Sequence, residues 1–525
     1  MLKKVYYLLY NLCTLVIILK AVVLQPDLIG RKEGMKPLET YVFLRQKRYW
    51  IFASVIFILM AARTLTGLWQ GDFWEHAAVV RELATNLLSP RHPQLLVDAS
   101  HAFFSPYCVG VALISRLMNL DPVTSLAIVG LANLVLFLIA FRWFIVHLFE
   151  SDRDAISFYA LLFVLVLWGR DPWFWSAFFH IAVLGFVLPY PSTFVSALMF
   201  VSFGLYLSYL KNGKKVCYVL LIPVMSLVFL SHPTTGIVMC VGLVSFSLGY
   251  AERVSLRNIM TLFAAFAISF CLASAWPYYS FLGLITGQAP DFHGQSRVLY
   301  QQVLMRTFPA LVGIPVLAIR LRKNILDPIA LTFFGLAMVY FYGYVSNQWG
   351  YGRVISHMMM MLQIALACLT AKVESKWLTR TVVKLSYAGM FLLSLIFVLN
   401  LLAHKRDDSR KYSFLSRYVE QYDLVLSDLE TSRYIPAFGG KVIANPYPFY
   451  FIPDYAVKKR DVVHFFDQAT TNQERMEIIR KYQPAFLLYK RAFSRTNLAL
   501  YNSLGQFGTV VYSDEDFILL SLKNL

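Results

Sequence analysis

The chain of 525 residues is 58% hydrophobic and only 15% charged, and its mean hydropathy is +0.57. An average soluble domain carries about 25% charged residues, so this composition excludes an ordinary cytosolic enzyme. It also excludes a disordered chain, because such chains lack the apolar surface that offsets the entropy cost of ordering. The excess of apolar surface therefore predicts a polytopic membrane protein with membrane lipids around it.

The net charge of +18 is explained by membrane topology, and no nucleic-acid partner is predicted. Basic residues gather in short loops, and such loops are retained on the cytoplasmic side during insertion. These clusters lie at residues 31–48, 211–215, 253–257, 320–323 and 372–384. The intervening segments are predicted to lie on the opposite side: residues 69–102, the turn around Ser151, residues 189–192, His232, residues 285–305 and residues 346–353.

Apolar segments long enough to cross a membrane, which needs about 20 residues, recur along the chain. We identify thirteen candidates: residues 49–68, 103–119, 122–148, 154–169, 171–189, 193–210, 216–231, 233–250, 258–282, 306–321, 327–345, 354–371 and 381–403. Residues 1–48 are interpreted as an anchoring or interfacial helix at 5–24, with an extra span as the alternative, followed by a basic cytoplasmic segment. Residues 49–403 form the predicted membrane domain.

Residues 404–525 are polar and rich in turn signals, which predicts a separate soluble domain on the extracytoplasmic side. Short apolar runs at 422–426, 442–444, 485–489, 509–512 and 517–520 are typical of strands. Residues 473–482 are predicted to form a helix, because Thr471 and Glu474 have the spacing of a capping box at its start. A small α/β domain is expected.

The first outer loop contains the run Gly71-Asp72-Phe73-Trp74-Glu75-His76. A carboxylate at the membrane boundary can accept a proton from an attacking hydroxyl, which is the role of a general base. Glu75 and His76 would lie one helical turn further along, where they could orient Asp72 or bind the acceptor. The same Asp72 and Glu75 spacing also fits a capping box for the helix that follows, and the two interpretations are compatible.

Several segments resemble those of the GT-C superfamily of membrane glycosyltransferases, which includes protein O-mannosyltransferases and the aminoarabinose transferases of lipid A. The resemblance lies in their order along the chain and in the side of the membrane on which they are predicted to lie. The resemblance covers residues 49–525. Its motifs are Asp72-Phe73-Trp74-Glu75-His76, Ser231-His232-Pro233-Thr234-Thr235-Gly236, Arg353, Val425-Leu426-Ser427-Asp428-Leu429-Glu430-Thr431-Ser432 and Ile435-Pro436-Ala437.

The resemblance implies an inverting glycosyltransferase that moves a hexosyl or pentosyl group from a polyprenyl- or dolichyl-phosphate sugar to a hydroxyl of a lipid, glycan or protein. It implies Asp72 as the general base, at the extracytoplasmic face of the plasma or inner membrane, or of the endoplasmic reticulum in a eukaryote. Many relatives pair two acids in this loop, whereas Phe73 follows Asp72 here, so Glu75 and His76 are assigned supporting roles.

A lipid-phosphate donor needs cationic or hydrogen-bonding groups beside the base, and arginine suits phosphate through its bidentate fork. We predict Arg353 for this role, together with His232, His357 and Arg306. An arginine near the end of a span can instead reach the lipid headgroups, which is the alternative for Arg353. No metal is predicted to be obligatory, although a divalent cation is possible.

Aromatic residues near the outer span ends could line a sugar or lipid groove. The candidates are Tyr278, Tyr279 and Trp349, and an aromatic belt at the membrane interface is the alternative explanation. Two other functions remain open at this stage: a transporter or flippase of lipid-linked glycans, and a polysaccharide polymerase or ligase. A non-catalytic scaffold is a third possibility.

Overall fold

The computed structural model describes residues 37–250, 256–285, 294–376, 388–389, 409–446, 452, 454–495 and 497–522. The predicted helix at residues 5–24 lies outside the described residues, and so does the predicted span at 381–403 apart from residues 388 and 389. Helices dominate residues 37–376, and a small sheet follows in residues 409–522. The predicted fold class, mostly helical with a small C-terminal sheet, is therefore confirmed, and the domain boundaries stay a prediction.

The membrane part contains fifteen helices and two 3₁₀ segments within its described residues. The helices are α1 (Pro37–Thr64), α2 (Phe73–Thr85), α3 (Pro106–Leu117), α4 (Pro122–Leu148), α5 (Arg153–Val166), α6 (Ile181–Val187), α7 (Pro191–Asn212), α8 (Lys215–Ser231), α9 (Pro233–Gly249), α10 (Leu256–Ser274), α11 (Phe281–Ile285), α12 (Val303–Leu311), α13 (Ile314–Lys323), α14 (Pro328–Val345) and α15 (Ile355–Lys376). The 3₁₀ segments are Gly294–Tyr300 and Trp349–Val354.

Several of these helices begin with a capping side chain followed directly by proline, which lacks the N–H that a first helical residue leaves unpaired. The Asp121 carboxylate accepts a hydrogen bond from the Thr124 N–H at 3.0 Å at the start of α4. The Asp327 carboxylate does the same for the Ala330 N–H at 3.1 Å at the start of α14. Local sequence thus sets where these apolar helices start.

Among the described residues, five helices are long and apolar enough to cross a membrane, or six if α12 and α13, which meet at a bend of 52°, form one span. The predicted count of thirteen is not confirmed. Two predicted spans are wrong. Residues 103–119 contain only α3, of 12 residues, and residues 171–189 contain only α6, of 7 residues. At a rise of 1.5 Å per residue, neither helix crosses a core of about 30 Å.

One end of the helix bundle, here called the basic end, holds Arg48, Lys211 and Arg320. Arg48 pairs with Glu374 at 2.7 Å, and Arg320 pairs with Asp327 at 2.6 Å. The Lys211 ammonium donates to the carbonyl of His147 at 2.8 Å, so the turn around Ser151 lies at this same end. The predicted outer position of that turn is wrong, because α3 was counted as a span and reversed the side of the loop that follows α4.

The terminal domain is built on a five-stranded sheet. Its strands are β1 (Leu424–Leu426), β2 (Lys441–Val442), β3 (Phe486–Lys490), β4 (Thr509–Ser513) and β5 (Phe517–Ser521), in the order β2-β1-β3-β5-β4. β1 pairs in parallel with β2 and β3, while β5 is antiparallel to β3 and β4. All five predicted strands are confirmed.

Within the described part of this domain, six helices accompany the sheet: α16 (Leu415–Tyr418), α17 (Leu429–Ser432), α18 (Ile435–Phe438), α19 (Tyr455–Phe466), α20 (Asn472–Tyr482) and α21 (Leu498–Phe507). The capping box predicted for α20 is present. The Thr471 hydroxyl accepts from the Glu474 N–H, and the Glu474 carboxylate accepts from the Thr471 N–H at 2.7 Å.

The terminal domain packs against α2 and the loop that follows it. Lys441, at the start of β2, forms an ion pair of 2.6 Å with Glu82 of α2, and both side chains are buried. The Lys441 ammonium also donates to the carbonyls of His92 and Pro93 at 2.9 and 3.0 Å. The Val442 N–H donates to the Gln94 carbonyl at 2.8 Å. The loop after α2, with Leu95 bridged in parallel to Val442, therefore extends the β2 edge of the sheet and ties the two parts together.

Replacing Lys441 by Met leaves the Glu82 carboxylate buried without its cation. We expect the free energy of unfolding to fall by about 3–5 kcal/mol, measured by denaturant unfolding of the protein in detergent. Lys481→Met is the matched control, because Lys481 forms an ion pair of the same length with Asp461 but is exposed. A loss for Lys441→Met no larger than that of the control would contradict this account.

Candidate active site

Asp72 directly precedes α2 and follows a tight turn. Gly71 has a φ of +60°, a left-handed conformation that favours glycine. The Tyr190 hydroxyl donates to the Gln70 carbonyl at 2.8 Å and braces this turn. Asp72 occupies the position of the helix cap, yet its side chain accepts no capping hydrogen bond. The capping-box interpretation of Asp72 is therefore wrong, and the carboxylate is left to the cavity beside it.

The end of α1 fixes the approach to this turn. Arg63 is buried, its guanidinium donates to the Leu68 carbonyl, and it lies 4.4 Å from the ring centroid of Phe186. The rings of Trp69 and Phe73 stack at 4.4 Å. These contacts hold the chain just before and just after Asp72.

Asp72 and Arg353 line one cavity together. Its volume is about 230 Å³. Its walls come from the turn before α2, the segment between α5 and α6, α6 itself and the two 3₁₀ segments. The lining residues are Gln70, Gly71, Asp72, Glu75, Phe174, Trp175, Ser176, Val183, Phe186, Val187, Tyr190, Gln295 and Arg353.

A second, smaller cavity of about 80 Å³ shares Asp72, Ser176, Tyr190 and Arg353 with the first. Its other lining residues come from α2, the loop before α3, the start of α7 and the turn between α8 and α9. They are His76, Ala102, Phe103, Ser105, Pro191, Ser192, Ser231 and His232. Asp72 and Arg353 thus lie where the two cavities adjoin, at the end of the bundle opposite the basic end.

The protein around Asp72 is the largest influence on its carboxyl, although the side chain is open to the cavity. Desolvation by that surrounding protein, reinforced by the nearby Glu75 carboxylate, raises the pKa of Asp72 to about 6, while the positive charges of Arg353 and Arg433 act in the opposite direction. Arg433 lies between α17 and α18, so the terminal domain contributes a positive charge to this site. A pKa near neutrality allows a carboxylate to accept a proton at physiological pH and to release it afterwards.

Glu75 and His76 lie beside Asp72, one in each cavity. The Glu75 carboxylate is 3.3 Å from Nε2 of His101. His76 stacks on Phe103 at 4.7 Å, and its Nδ1 is 3.9 Å from Sγ of Cys108. Burial lowers the pKa of His76 to about 3, so this imidazole is neutral at physiological pH. The structure thus brings both predicted neighbours of Asp72 into the site.

Of the predicted phosphate ligands, Arg353 and His232 line the cavities, whereas His357 lines neither. The Arg353 guanidinium carbon is 5.7 Å from the ring centroid of Trp175. His232 caps α9, and its Nδ1 is 2.8 Å from the Thr235 hydroxyl oxygen. His357 is buried inside the bundle, with Ser356 and Ser196 hydroxyl oxygens 3.0 and 3.4 Å from its two ring nitrogens.

Arg306 does not line either cavity. Its guanidinium donates to the Asp171 carbonyl at 2.5 Å and lies 5.3 Å from the ring centroid of Trp173. It therefore braces the segment between α5 and α6, the segment that carries Trp175 and Ser176 into the site. This role differs from the phosphate contact predicted for it.

The three aromatic residues predicted to line a sugar or lipid groove lie outside the two cavities. The Tyr278 hydroxyl donates to the Leu87 carbonyl at 2.8 Å, the Tyr279 hydroxyl donates to the Leu230 carbonyl at 2.5 Å, and the Trp349 ring packs 5.4 Å from that of Tyr300. None of the three lines the two cavities. The aromatic walls there are Phe174, Trp175, Phe186 and Tyr190.

Sequence reasoning missed Trp175, Ser176, Gln295 and Arg433. The first two were placed inside a span at residues 171–189, although the preceding Gly169-Arg170-Asp171-Pro172 run is a turn signal that argues against a continuous helix there. Arg433 lies between two quoted motifs of the terminal domain but has no local signal of its own. Among the described residues, no three His, Cys, Asp or Glu side chains form a group that could hold a metal ion.

Two solved structures resemble this chain over most of its length. The crystal structure of an oligosaccharyltransferase from Archaeoglobus fulgidus, in complex with Zn and sulfate, matches with a TM-score of 0.55 and 13% identity, covering 88% of this chain and 72% of that one. ArnT from Cupriavidus metallidurans, in the apo state, matches with a TM-score of 0.54 and 15% identity, covering 90% of this chain and 97% of that one. Both are GT-C glycosyltransferases.

The chain has the GT-C fold. The resemblance inferred from the sequence motifs is thereby confirmed at the level of the fold, and the apolar helices together with these neighbours identify an integral membrane protein. The sequence itself matches no protein-family model and no curated protein.

Replacing Arg433 by Gln removes one of the two positive charges that lower the pKa of Asp72. We therefore expect that pKa to rise further above about 6. Infrared titration of the protonated carboxyl band measures the shift, once the spectrum of the same protein with Asp72→Asn is subtracted. Arg480→Gln, at an exposed arginine of α20, is the control. An identical titration in the two arginine variants would contradict a contribution of Arg433 to this site.

Proposed function

We propose that this protein is an inverting glycosyltransferase that moves a sugar from a polyprenyl-phosphate donor to an acceptor hydroxyl. The observation that supports this most is the convergence of Asp72 and Arg353 on the same two cavities. A proton acceptor and a phosphate-binding cation are the two groups that such a transfer requires. The GT-C fold is consistent with this chemistry.

In the proposed reaction, the Asp72 carboxylate accepts the proton of the acceptor hydroxyl. The acceptor oxygen then forms a bond to the anomeric carbon while the bond from that carbon to the phosphate oxygen breaks. The electron pair of the broken bond leaves on polyprenyl phosphate. Attack opposite the leaving group inverts the anomeric configuration, and the proton remains on Asp72 until it is released to water.

The electrostatics of the site suit this sequence of events. A carboxyl with a pKa of about 6 is mostly ionised at pH 7, yet it is a stronger base than an exposed aspartate. Arg353 carries a permanent positive charge with a planar fork of donors, which matches the oxygens of a leaving phosphate. His232 adds a neutral donor on the same side of the smaller cavity.

The basic residues gather at the opposite end of the bundle, which supports an extracytoplasmic position for the cavities, and the proposed donor is a lipid-phosphate sugar presented on that side. We propose that the charge of the leaving phosphate is held by arginine without an obligatory metal. The polar residues of the site gather at one end of the bundle, which favours chemistry at a membrane surface over transport through the midplane. The acceptor is a hydroxyl of a lipid, glycan or protein.

Replacing Asp72 by Asn should lower the rate of transfer about 1000-fold, because the amide cannot accept the proton. The unfolding midpoint should not fall. At pH 7 the folded protein keeps Asp72 ionised although its surroundings raise its pKa to about 6 and so disfavour that form, and Asn removes this cost. Sugar transfer from purified polyprenyl-phosphate donors in proteoliposomes and unfolding in detergent are the two measurements.

Asp98→Asn is the matched control for this experiment, since Asp98 is an exposed aspartate of the same outer loop. It should retain the wild-type rate. Full transfer by the Asp72→Asn protein would refute the assigned mechanism, and a loss of rate accompanied by a lower unfolding midpoint would point to misfolding instead.

A further inference from the structure

The smaller cavity is lined mainly by uncharged hydrogen-bonding groups. Apart from Asp72 and Arg353, its polar lining consists of hydroxyls and imidazoles. These belong to His76, Ser105, Ser176, Tyr190, Ser192, Ser231 and His232. Because burial keeps His76 neutral, no further charge is available there from the lining residues to pair with a charged ligand group. This lining favours a ligand that carries hydroxyl groups.

Among the residues that line this cavity, Ser231 gives the most direct evidence for a ligand. It is the last residue of α8, only 9% exposed, and its hydroxyl oxygen has no hydrogen-bond partner. A buried polar group without a partner costs about 1–3 kcal/mol, and a ligand hydroxyl that reaches it recovers this cost. The neighbouring His232 accepts the Thr235 N–H at Nδ1, at 3.4 Å. Its proton therefore resides on Nε2, which leaves a donor for a ligand oxygen.

The volume of this cavity limits what enters it. About 80 Å³ holds roughly five to eight water-sized groups, at about 10–15 Å³ for each. One edge of a sugar ring with its hydroxyls fills a volume of this size, and no space remains for a second sugar unit. The larger cavity, of about 230 Å³, is left for the acceptor.

The position of the phosphate-binding groups decides which substrate lies here. The donor phosphate is bonded to the anomeric carbon, so the sugar lies next to the groups that bind the phosphate. Arg353 and His232 together line only the smaller of the two cavities, and Asp72 lines it too. Building on the proposed function, we infer that the smaller cavity receives an uncharged, hydroxyl-bearing edge of the donor sugar and that Ser231 and His232 select it.

The test uses the full-length protein in proteoliposomes with purified polyprenyl-phosphate mannose, glucose, galactose, glucosamine and glucuronate. A neutral hexose should be transferred with the highest kcat/KM. The deoxy analogues of that hexose then locate the hydroxyl that the cavity binds. Ser231→Ala should lower kcat/KM about tenfold for the parent donor and little for one deoxy analogue, because that analogue already lacks the bond.

Ser226→Ala is the matched control. Ser226 is on the same helix, its hydroxyl donates to the Ile222 carbonyl at 3.0 Å, and it lines neither cavity. It should leave the donor preference unchanged. The inference would be overturned if Ser231→Ala lowered kcat/KM equally for the parent donor and for every deoxy analogue. It would also be overturned if the loss of kcat/KM depended on which acceptor is used and not on the donor. Wild-type protein that transfers none of the donors would instead contradict the proposed function, on which the inference rests.

Discussion

The site depends on one constraint: the carboxylate at the start of α2, set among protein groups that disfavour its charge, must have positive charge near it. Desolvation by the surrounding protein and the Glu75 carboxylate disfavour the ionised form of Asp72, and the two arginines favour it, with a pKa of about 6 as the result. One arginine comes from the membrane part and the other from the terminal domain. The charge balance of the site therefore draws on both parts of the chain.

Because charges from both parts of the chain act on Asp72, the contacts between the two parts matter for function. Glu82, the buried partner of Lys441, is on the same helix that begins beside Asp72, and Val442 binds the loop after that helix. Trp74, two residues after Asp72, packs 5.0 Å from the ring of Tyr434, which adjoins Arg433. A shift of the terminal domain would therefore move the base and its cation together. A buried ion pair resists separation of the two parts, because breaking it leaves a charge buried without its partner.

The features that could be predicted from the sequence are those that depend on short stretches of the chain. The strands of the terminal domain, the capping box of α20 and the placement of Asp72 and Arg353 at one end of the bundle follow from short patterns. The predictions that differ from the structure concern features that depend on tertiary packing. α3 is apolar on its packed face and on its exposed face but has only 12 residues, so an apolar pattern alone predicts a span there and puts the turn at Ser151 on the wrong side. Arg306 and Trp349 looked like site residues from their loops, yet they brace neighbouring segments, and Arg433 enters the site only through the docking of a distant domain.

A structure of the protein bound to a short-chain polyprenyl phosphate would test the central claim most directly. The account predicts phosphate oxygens within about 2.7–3.2 Å of the Arg353 guanidinium, with space for the anomeric carbon of a donor sugar between that phosphate and the Asp72 carboxylate. A phosphate bound at Arg306 or at the basic end of the bundle, without contact to Arg353, would contradict it.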